Sequence, residues 1–311
     1  MKDKILNELS TYKKRIDLTN NYSFLKIDNE KSYDEIVIRP IIDLILNEDT
    51  VVKVVSIQQN DHFVLLKNLT WETKYFNFPC YSIELILFDH DDYLILRSAI
   101  NTLVNLHLPK DSFCKINIPS EDLILIQAIS STRFNLIETR LNYVLKLDSN
   151  VQSQFNKIIK KSENSDAYYL SNIAKKMSNK YDWIHADPTF SDETANEYLG
   201  MFAEESVKGF ADIVLQCMNE NEIPFGFLAA NYPQDINDNY ISKLVLAAID
   251  NTRQRGLLFD LLNEMIYQLK EKKAGYLTTI TQAANIPAIK TWEKTGFSLY
   301  KVTHLYTLKN D

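Results

Sequence analysis

The stretch 241–297 constrains this chain more than any other part of it. It reads ISKLVLAAIDNTRQRGLLFDLLNEMIYQLKEKKAGYLTTITQAANIPAIKTWEKTGF. Leu244-Val245-Leu246-Ala247-Ala248-Ile249 is an unbroken apolar run of strand length, which predicts a buried strand. A polar loop from Asp250 to Arg255 ends at Gly256. Leu258, Leu261, Leu262, Met265 and Leu269 then recur close to the helical period. Gly275 marks the turn after that helix, and Tyr276 to Thr281 predicts a second strand from its β-branched and aromatic content. A short helix begins at Asn285 and ends near Gly296.

A strand that stops at a glycine loop and continues as a helix offers a place for an anion. The first amides of a helix have no internal partner, and the helix dipole is positive there. Gly256 lets the backbone approach a ligand, and Arg253 and Arg255 add positive charge beside it. The loop 250–258 can therefore cradle a pyrophosphate, although many strand-to-helix turns carry a Gly and an Arg for structural reasons alone.

Composition narrows the classes. With 311 residues, two domains are the natural expectation, and a hydrophobic fraction of 45% is ample for packed cores. The net charge of −7 gives a nucleic-acid role no electrostatic support. The N-terminus, MKDKILNELSTYKKRIDL, lacks the apolar region of a secretory signal, and no apolar run is long enough to span a bilayer. Cys80, Cys114 and Cys217 are odd in number and widely spaced, which fits reduced thiols in a cytoplasmic protein and buried small side chains. The five histidines, at 62, 90, 107, 185 and 304, show no metal-ligand spacing, so no metal is expected. All six glycines lie at or after Gly200. Since backbone that must approach a ligand needs glycine, the ligand chemistry is expected in the C-terminal part.

The chain divides accordingly. Residues 1–67 read as an N-terminal appendage, with helices at Asp3–Ile16 and Arg39–Asn47 and strands at Val51–Ile57 and Phe63–Leu66. Residues 68–149 read as a smaller α/β unit without glycine loops, a scaffold or dimerisation domain, so a homodimer is one expectation. It holds strands at Tyr81–Phe88 and Lys115–Ile118, helices at Leu94–Asn105 and Glu121–Thr132, and a long alternating strand from Phe134 to Leu145. A lysine-rich, polar linker spans 150–165. Residues 154–311 then follow as an α/β domain with a mixed sheet. Leu170, Ile173, Ala174 and Met177 share a helix face, and Ser191 is a suitable N-cap for a helix to about Ser206. Strands are expected at Asp212–Cys217 and Phe225–Ala230, with Tyr232 to Tyr240 as a polar loop.

That order, with its loop and ending, resembles the GNAT superfamily of acyl-CoA-dependent N-acetyltransferases. The family's acyl-CoA loop reads Gln/Arg-x-x-Gly-x-Gly/Ala; here it is Arg253-Gln254-Arg255-Gly256-Leu257-Leu258, and Leu258 departs from it. The family's ending, Asn-x-x-Ala-x-x-x-Tyr-x-x-x-Gly-Phe, is met by Asn285, Ala288, Gly296 and Phe297 in register, with Trp292 in place of Tyr. Trp71-Glu72-Thr73-Lys74-Tyr75-Phe76, Phe134–Leu141, His185-Ala186-Asp187-Pro188 and 205–212 are further similar to the layout of nucleotide-amino-sugar acetyltransferases such as the dTDP-fucosamine enzymes. The Gly usual after the aromatic pair is Asn77 here. This similarity covers residues 68–311.

The resemblance implies a GNAT fold: a mixed central sheet with splayed parallel strands in the C-terminal domain, preceded by a smaller GNAT-like α/β domain. It implies acetyl-CoA, or another acyl-CoA, as co-substrate between strands 241–249 and 276–281. Leu246, Ala247 and Ala248 would bond the pantetheine arm, the amides from Arg253 to Leu258 (Gln254, Arg255, Gly256 and Leu257 included) would hold the pyrophosphate, Asn285 would hold the chain or the pantetheine, and Ala288 would keep the short helix close to the cofactor. The usual Tyr protonates the leaving thiolate; the indole of Trp292 is a donor but no usable acid. The proton then comes from water or from Tyr240, Tyr300 or Tyr306. His185 is the candidate base, oriented by Asp187, against a plain structural turn. Tyr75 and Phe76 are candidates for lining an acceptor pocket, against a place in the core. The function implied is transfer of an acyl group to an amino sugar, nucleotide-linked, in surface polysaccharide synthesis. Two alternatives stand beside it: a catalytically silent acyl-CoA-binding regulatory or assembly protein, and an enzyme acting on a peptide or aminoglycoside. An acidic acceptor surface favours cationic amines; Arg or Lys there favours a nucleotide diphosphate.

Overall fold

The computed structural model describes residues 2–148, 159–177, 181–219, 221–250 and 256–311. In chain order these form α1 (Lys2–Glu8), α2 (Lys13–Thr19), α3 (Glu30–Tyr33), α4 (Arg39–Leu46), β1 (Thr50–Ile57), β2 (Asn60–Asn68), α5 (Thr70–Phe76), β3 (Cys80–Leu87), α6 (Tyr93–His107), β4 (Ser112–Pro119), α7 (Leu123–Ser130) and β5 (Asn135–Lys146). They continue with β6 (Ile159–Lys161), α8 (Ala167–Lys175), α9 (Trp183–Ala186), α10 (Asp192–Glu205), β7 (Ile213–Met218), β8 (Pro224–Ile236), β9 (Asn239–Ile249), α11 (Leu257–Glu271), β10 (Tyr276–Gln282), α12 (Ile286–Thr295) and β11 (Ser298–Asn310). The chain makes two compact units, Met1–Arg140 with Lys301–Asp311, and Leu141–Tyr300.

Unit 1 orders its strands β1-β2-β3-β4-β11. The β1–β2 and β2–β3 pairs are antiparallel, β3–β4 is parallel, and β11 returns antiparallel to β4. Residues 62–66 of β2 are buried without a break, which requires cover on both faces of the sheet. Val64 and Leu66 pack with Leu96, Ile100 and Leu103 of α6. Phe63 meets the ring of Tyr12 edge-on at 5.9 Å, and Ile5 and Ile16 of the N-terminal helices are fully buried. Residues 1–67 thus supply two strands and the second covering layer of this unit rather than a body of their own. The expected boundary at 67/68 falls at the end of β2, which is hydrogen-bonded to β3.

Unit 2 orders its strands β5-β10-β9-β8-β7-β6. One face packs against α11 and α12 through Leu261, Leu262, Met265, Leu269 and Trp292. The other packs against α8 and α10 through Leu170, Ala174, Leu199 and Ala203. Residues 301–311 of the expected 154–311 domain belong to unit 1, where Thr303–Asn310 pair with β4. The expected linker 150–165 lies partly outside the described residues; Ile159–Lys161 of it is strand, paired with β7.

One element differs outright from expectation. Residues 232–240 are not a loop: β8 runs to Ile236 and β9 starts at Asn239. Asn237 and Asp238 both take positive φ, 51° and 63°, the geometry of a two-residue hairpin turn whose twist matches its strands. The polar residues before it are the solvent-facing half of a hairpin, which composition alone reads as loop.

Candidate functional site

Within unit 2, β9 and β10 pair in parallel only at Ile241, Ser242 and Lys243 against Tyr276, Leu277 and Thr278. Immediately after, the β8–β9 ladder shifts register: Ala230 faces Leu244 while Ala229 faces Leu246, so Val245 is a bulge. A bulge bends and twists its strand. Here it lies just beyond the last β9–β10 partner, so the two strands part into a V. The strand ends, 244–249 and 279–282, line a cavity of about 520 Å³ together with Leu258 of α11 and Asn285, Pro287, Ala288 and Trp292 of α12. The opposite wall comes from Met177, Tyr181, Asp182, Trp183, Tyr198 and Phe202.

The sequence places each wall for an identifiable reason. Gly256 is the N-cap of α11 with φ 100°, a left-handed conformation that glycine adopts without strain. Having no side chain, it offers no side-chain acceptor to the first amides of α11. Side chains cap four other helices: Asp92 on α6, Asp122 on α7, Ser191 on α10 and Asn285 on α12. The Asn285 side chain accepts from Ala288 N at 3.3 Å, which ties the start of α12 to the cavity edge. Gly296, with φ 96°, ends that helix and turns the chain into β11.

Of the residues expected at the co-substrate, Leu246, Ala247, Ala248, Leu258, Asn285, Ala288 and Trp292 are brought together on the cavity wall. Gly256 and Leu257 begin α11, and the Leu257 side chain packs into the core. Arg253, Gln254 and Arg255 lie outside the described residues. Trp292 is 4% exposed and its indole Nε1 has no hydrogen-bond partner among the described residues. A buried, unbonded donor on a cavity wall is a place for an acceptor atom of a ligand, because leaving it unmade costs about 1–3 kcal/mol.

His185 does not line this cavity. Its Nδ1 is held by Asp182 Oδ2 at 2.8 Å and its Nε2 by Asn196 Oδ1 at 3.1 Å. Asp182, not Asp187, orients it. Asp182 is the N-cap of α9, and the i to i+3 spacing folds His185 back over its own cap. Asp187 is buried and accepts from Thr189 N in a local turn. The carboxylate that reaches the cavity is Asp182, 6% exposed, and it is the one charged residue among the described lining residues.

The candidate proton donors also move. Tyr306 is in the unit 1 core, bonded to Ser130 Oγ at 3.0 Å, and neither Tyr240 nor Tyr300 lines the cavity. The tyrosines that do line it are Tyr181 and Tyr198. Neither sits in the motif stretch; only the packing of 181–202 against β9 reveals them. Tyr75 and Phe76 belong to an aromatic cluster at α5: Tyr75 stacks on Trp71, Phe76 stacks on Phe78 just past the helix, and the two meet edge-on. Burial pushes the thiols of Cys80 and Cys217 up to about 12 and raises that of Cys114, so none offers a thiolate near neutrality. Among the described residues, no helix is long and apolar enough to cross a membrane.

No family model and no curated protein matches the chain. Solved structures do. A tandem GNAT protein from the clavulanic acid biosynthesis pathway is 12% identical, with a TM-score of 0.54 over 98% of this chain and 96% of that one. A GCN5-related N-acetyltransferase from Kribbella flavida is 10% identical, with a TM-score of 0.52 over 90% of this chain and 96% of that one. Another from Sphaerobacter thermophilus is 10% identical, with a TM-score of 0.51 over 79% and 76% of the two chains. Identities this low speak for architecture. With its parted parallel strands, its bulge, and its glycine-started helix after the first strand, the chain has the GNAT fold, as two GNAT-like units.

Proposed function

We propose that the protein is an acyl-CoA-dependent N-acyltransferase, with acetyl-CoA the expected donor and a small-molecule amine the acceptor. One observation carries the reading: β9 and β10 cease to pair after Lys243 and Thr278, beside the Val245 bulge, and open onto the cavity. Backbone groups of a strand edge seek partners, and an extended amide chain such as pantetheine can supply them as an added strand. The start of α11 at Gly256 supplies amides for the pyrophosphate.

An amine bound against Asp182 attacks the thioester carbon from the Tyr181–Trp183 side. A backbone N–H of β9 beside the bulge donates to the carbonyl oxygen as charge develops there. The leaving group is a thiol of ordinary pKa near ~8.5, so it departs with little help. Tyr181 and Tyr198, which line the cavity, are the tyrosines proposed to protonate it. For the finer acceptor expected above, a nucleotide-linked amino sugar, only the resemblance of the sequence segments speaks.

A second reading, an acyl-CoA-binding protein without turnover, is favoured by Trp292 where the family carries its acid. Loss of a general acid costs roughly 10²–10⁴-fold, which slows transfer without abolishing it. The test is calorimetric titration with acetyl-CoA, followed by thiol release and product mass with a panel of amines. Binding with acylated product is expected. Binding without product from any amine selects the second reading, and absence of binding removes both.

A further inference from the structure

The wall facing the parted strands is chemically one-sided. Tyr181, Trp183, Tyr198 and Phe202 present aromatic surface to the cavity, and Trp183 meets Tyr198 edge-on at 5.8 Å. Asp182 lies among them. Its Oδ1 accepts from the backbone of Ile184 and His185 at 3.1 and 3.0 Å, and its Oδ2 from His185 Nδ1 at 2.8 Å. These donors lock the carboxylate in place. A carboxylate oxygen has two lone pairs, so Oδ2 can take one more donor. No Lys or Arg is among the described lining residues.

From this arrangement we infer that the acceptor is a primary amine presented as an ammonium on an apolar, preferably aromatic, body. The inference rests on the acyl-transfer reading above and narrows its acceptor. An ammonium leaves water at a high cost unless it meets a counter-charge and further donors or rings. Asp182 provides the charge, and the aromatic lining provides apolar surface for the body of the amine. A nucleotide diphosphate would bring two negative groups against a fixed carboxylate in an apolar wall, which is repulsive at close range. His185 is a positioning residue here: it fixes Asp182 and does not touch the acceptor.

The reaction balances simply. The ammonium releases one proton to solvent along Asp182, and the freed nitrogen pair forms the C–N bond to the acyl carbon. The C–S bond breaks, its electron pair stays on the CoA sulfur, and the second amine proton ends there as the thiol.

The test uses the full chain with acetyl-CoA and four acceptors: phenethylamine, hexylamine, a dTDP-4-amino sugar and a UDP-amino sugar. Thiol release and product mass are read for each, with phenethyl alcohol as a neutral competitor. Acylation of the simple amines over the nucleotide sugars is expected. Phenethylamine should also bind roughly 10–100-fold more tightly than the alcohol, the range for a hydrogen bond to a charged group. Asp182→Asn keeps the cap acceptor and the shape, and should raise the KM for the amine by a similar factor while the acetyl-CoA Kd stays unchanged. Preference for the nucleotide sugars, equal binding of amine and alcohol, or an unchanged KM in a folded Asp182→Asn overturns the inference and leaves acyl transfer standing. Failure to bind acetyl-CoA instead overturns the reading on which it rests. The amine–alcohol comparison needs no variant, so it decides even where Asp182→Asn folds poorly.

Discussion

At the scale of residues, the informative positions are those where a polar group is buried without its usual partner. Trp292 is one: its ring packs 5.5 Å from that of Phe297 in the unit 2 core, yet its Nε1 has no partner among the described residues. Under the acyl-CoA reading, that indole N–H is the donor proposed to meet an acceptor atom of the co-substrate. Trp292→Phe removes that donor and keeps an aromatic ring. The loss of ring volume is offset by the removal of an orphan polar atom, so the melting temperature should change little. The Kd for a non-hydrolysable acetyl-CoA analogue should rise roughly 2–10-fold, the worth of one neutral hydrogen bond, as read by calorimetry. The motif fragments at Asn285, Ala288, Gly296 and Phe297 were legible in the sequence because cap, close-packing and left-handed positions each admit few residue types. Asp182, Tyr181 and Tyr198 were not legible, since a carboxylate or a ring carries no mark of which cavity it will face.

At the scale of elements, unit 1 repeats the order of unit 2. The series β1-β2-β3-α6-β4-α7 follows β7-β8-β9-α11-β10-α12, except that α5 is inserted between β2 and β3 where β8 and β9 are joined by a two-residue turn. Its parallel pair β3–β4 also stops early, with Cys80–Ile83 against Phe113–Ile116. The loop that follows β3, however, is Phe88-Asp89-His90-Asp91-Asp92, and the Asp92 carboxylate already accepts from Leu94 N at 2.8 Å and Ile95 N at 3.3 Å. An anion cradle is thus occupied by the chain's own anion. The same loop is tied to β2 by the imidazole pair His62 Nε2 and His90 Nε2 at 2.8 Å. His62 Nδ1 faces Val55 O and must donate, while His90 Nδ1 accepts from Asp92 N. Both rings are therefore neutral in this arrangement, with His90 Nε2–H donating to His62. Burial lowers both pKa values from the ordinary 6.5, assisted at His62 by His90 and at His90 by Arg15, and opposed by Asp61 at His62 and by Asp89, Asp91 and Asp92 at His90. Groups with lowered folded-state values stabilise fully above the unfolded value and lose that contribution as pH falls through the folded ones. Thermal melts should accordingly fall between pH 7 and pH 5, and His90→Gln should flatten that slope.

At the scale of the molecule, a single chain carries two GNAT-like units, of which only unit 2 has a glycine-opened helix after its parted strand. In unit 1 the place between the end of β3 and the start of α7 is filled from within. Arg15 of α2 lies 4.1 Å above the Phe88 ring and pairs with Asp122, the N-cap of α7, with both side chains less than a tenth exposed. Lys301 adds bonds to Leu18 O and Asn20 O, and its burial lowers its pKa to about 8. One acetyl-CoA per chain is the expected stoichiometry. Arg15→Met should leave Asp122 buried and unpaired and cost about 3–5 kcal/mol in denaturant unfolding; a loss below about 1 kcal/mol would show the pair to be incidental. What the sequence determined by itself was the local grammar: the period of α11, the β-branched strand at 276–281, the caps of α10 and α12, and the glycine that opens α11. These are read from neighbours in the chain, where propensity and cap geometry act. The tertiary structure alone decided that β9 and β10 part after three residue pairs, that residues 1–46 close one unit, that 301–311 complete it, and that Asp182 rather than His185 reaches the cavity. Each of these depends on contacts between residues far apart in the chain, and no local spacing encodes which of several chemically equivalent faces will meet.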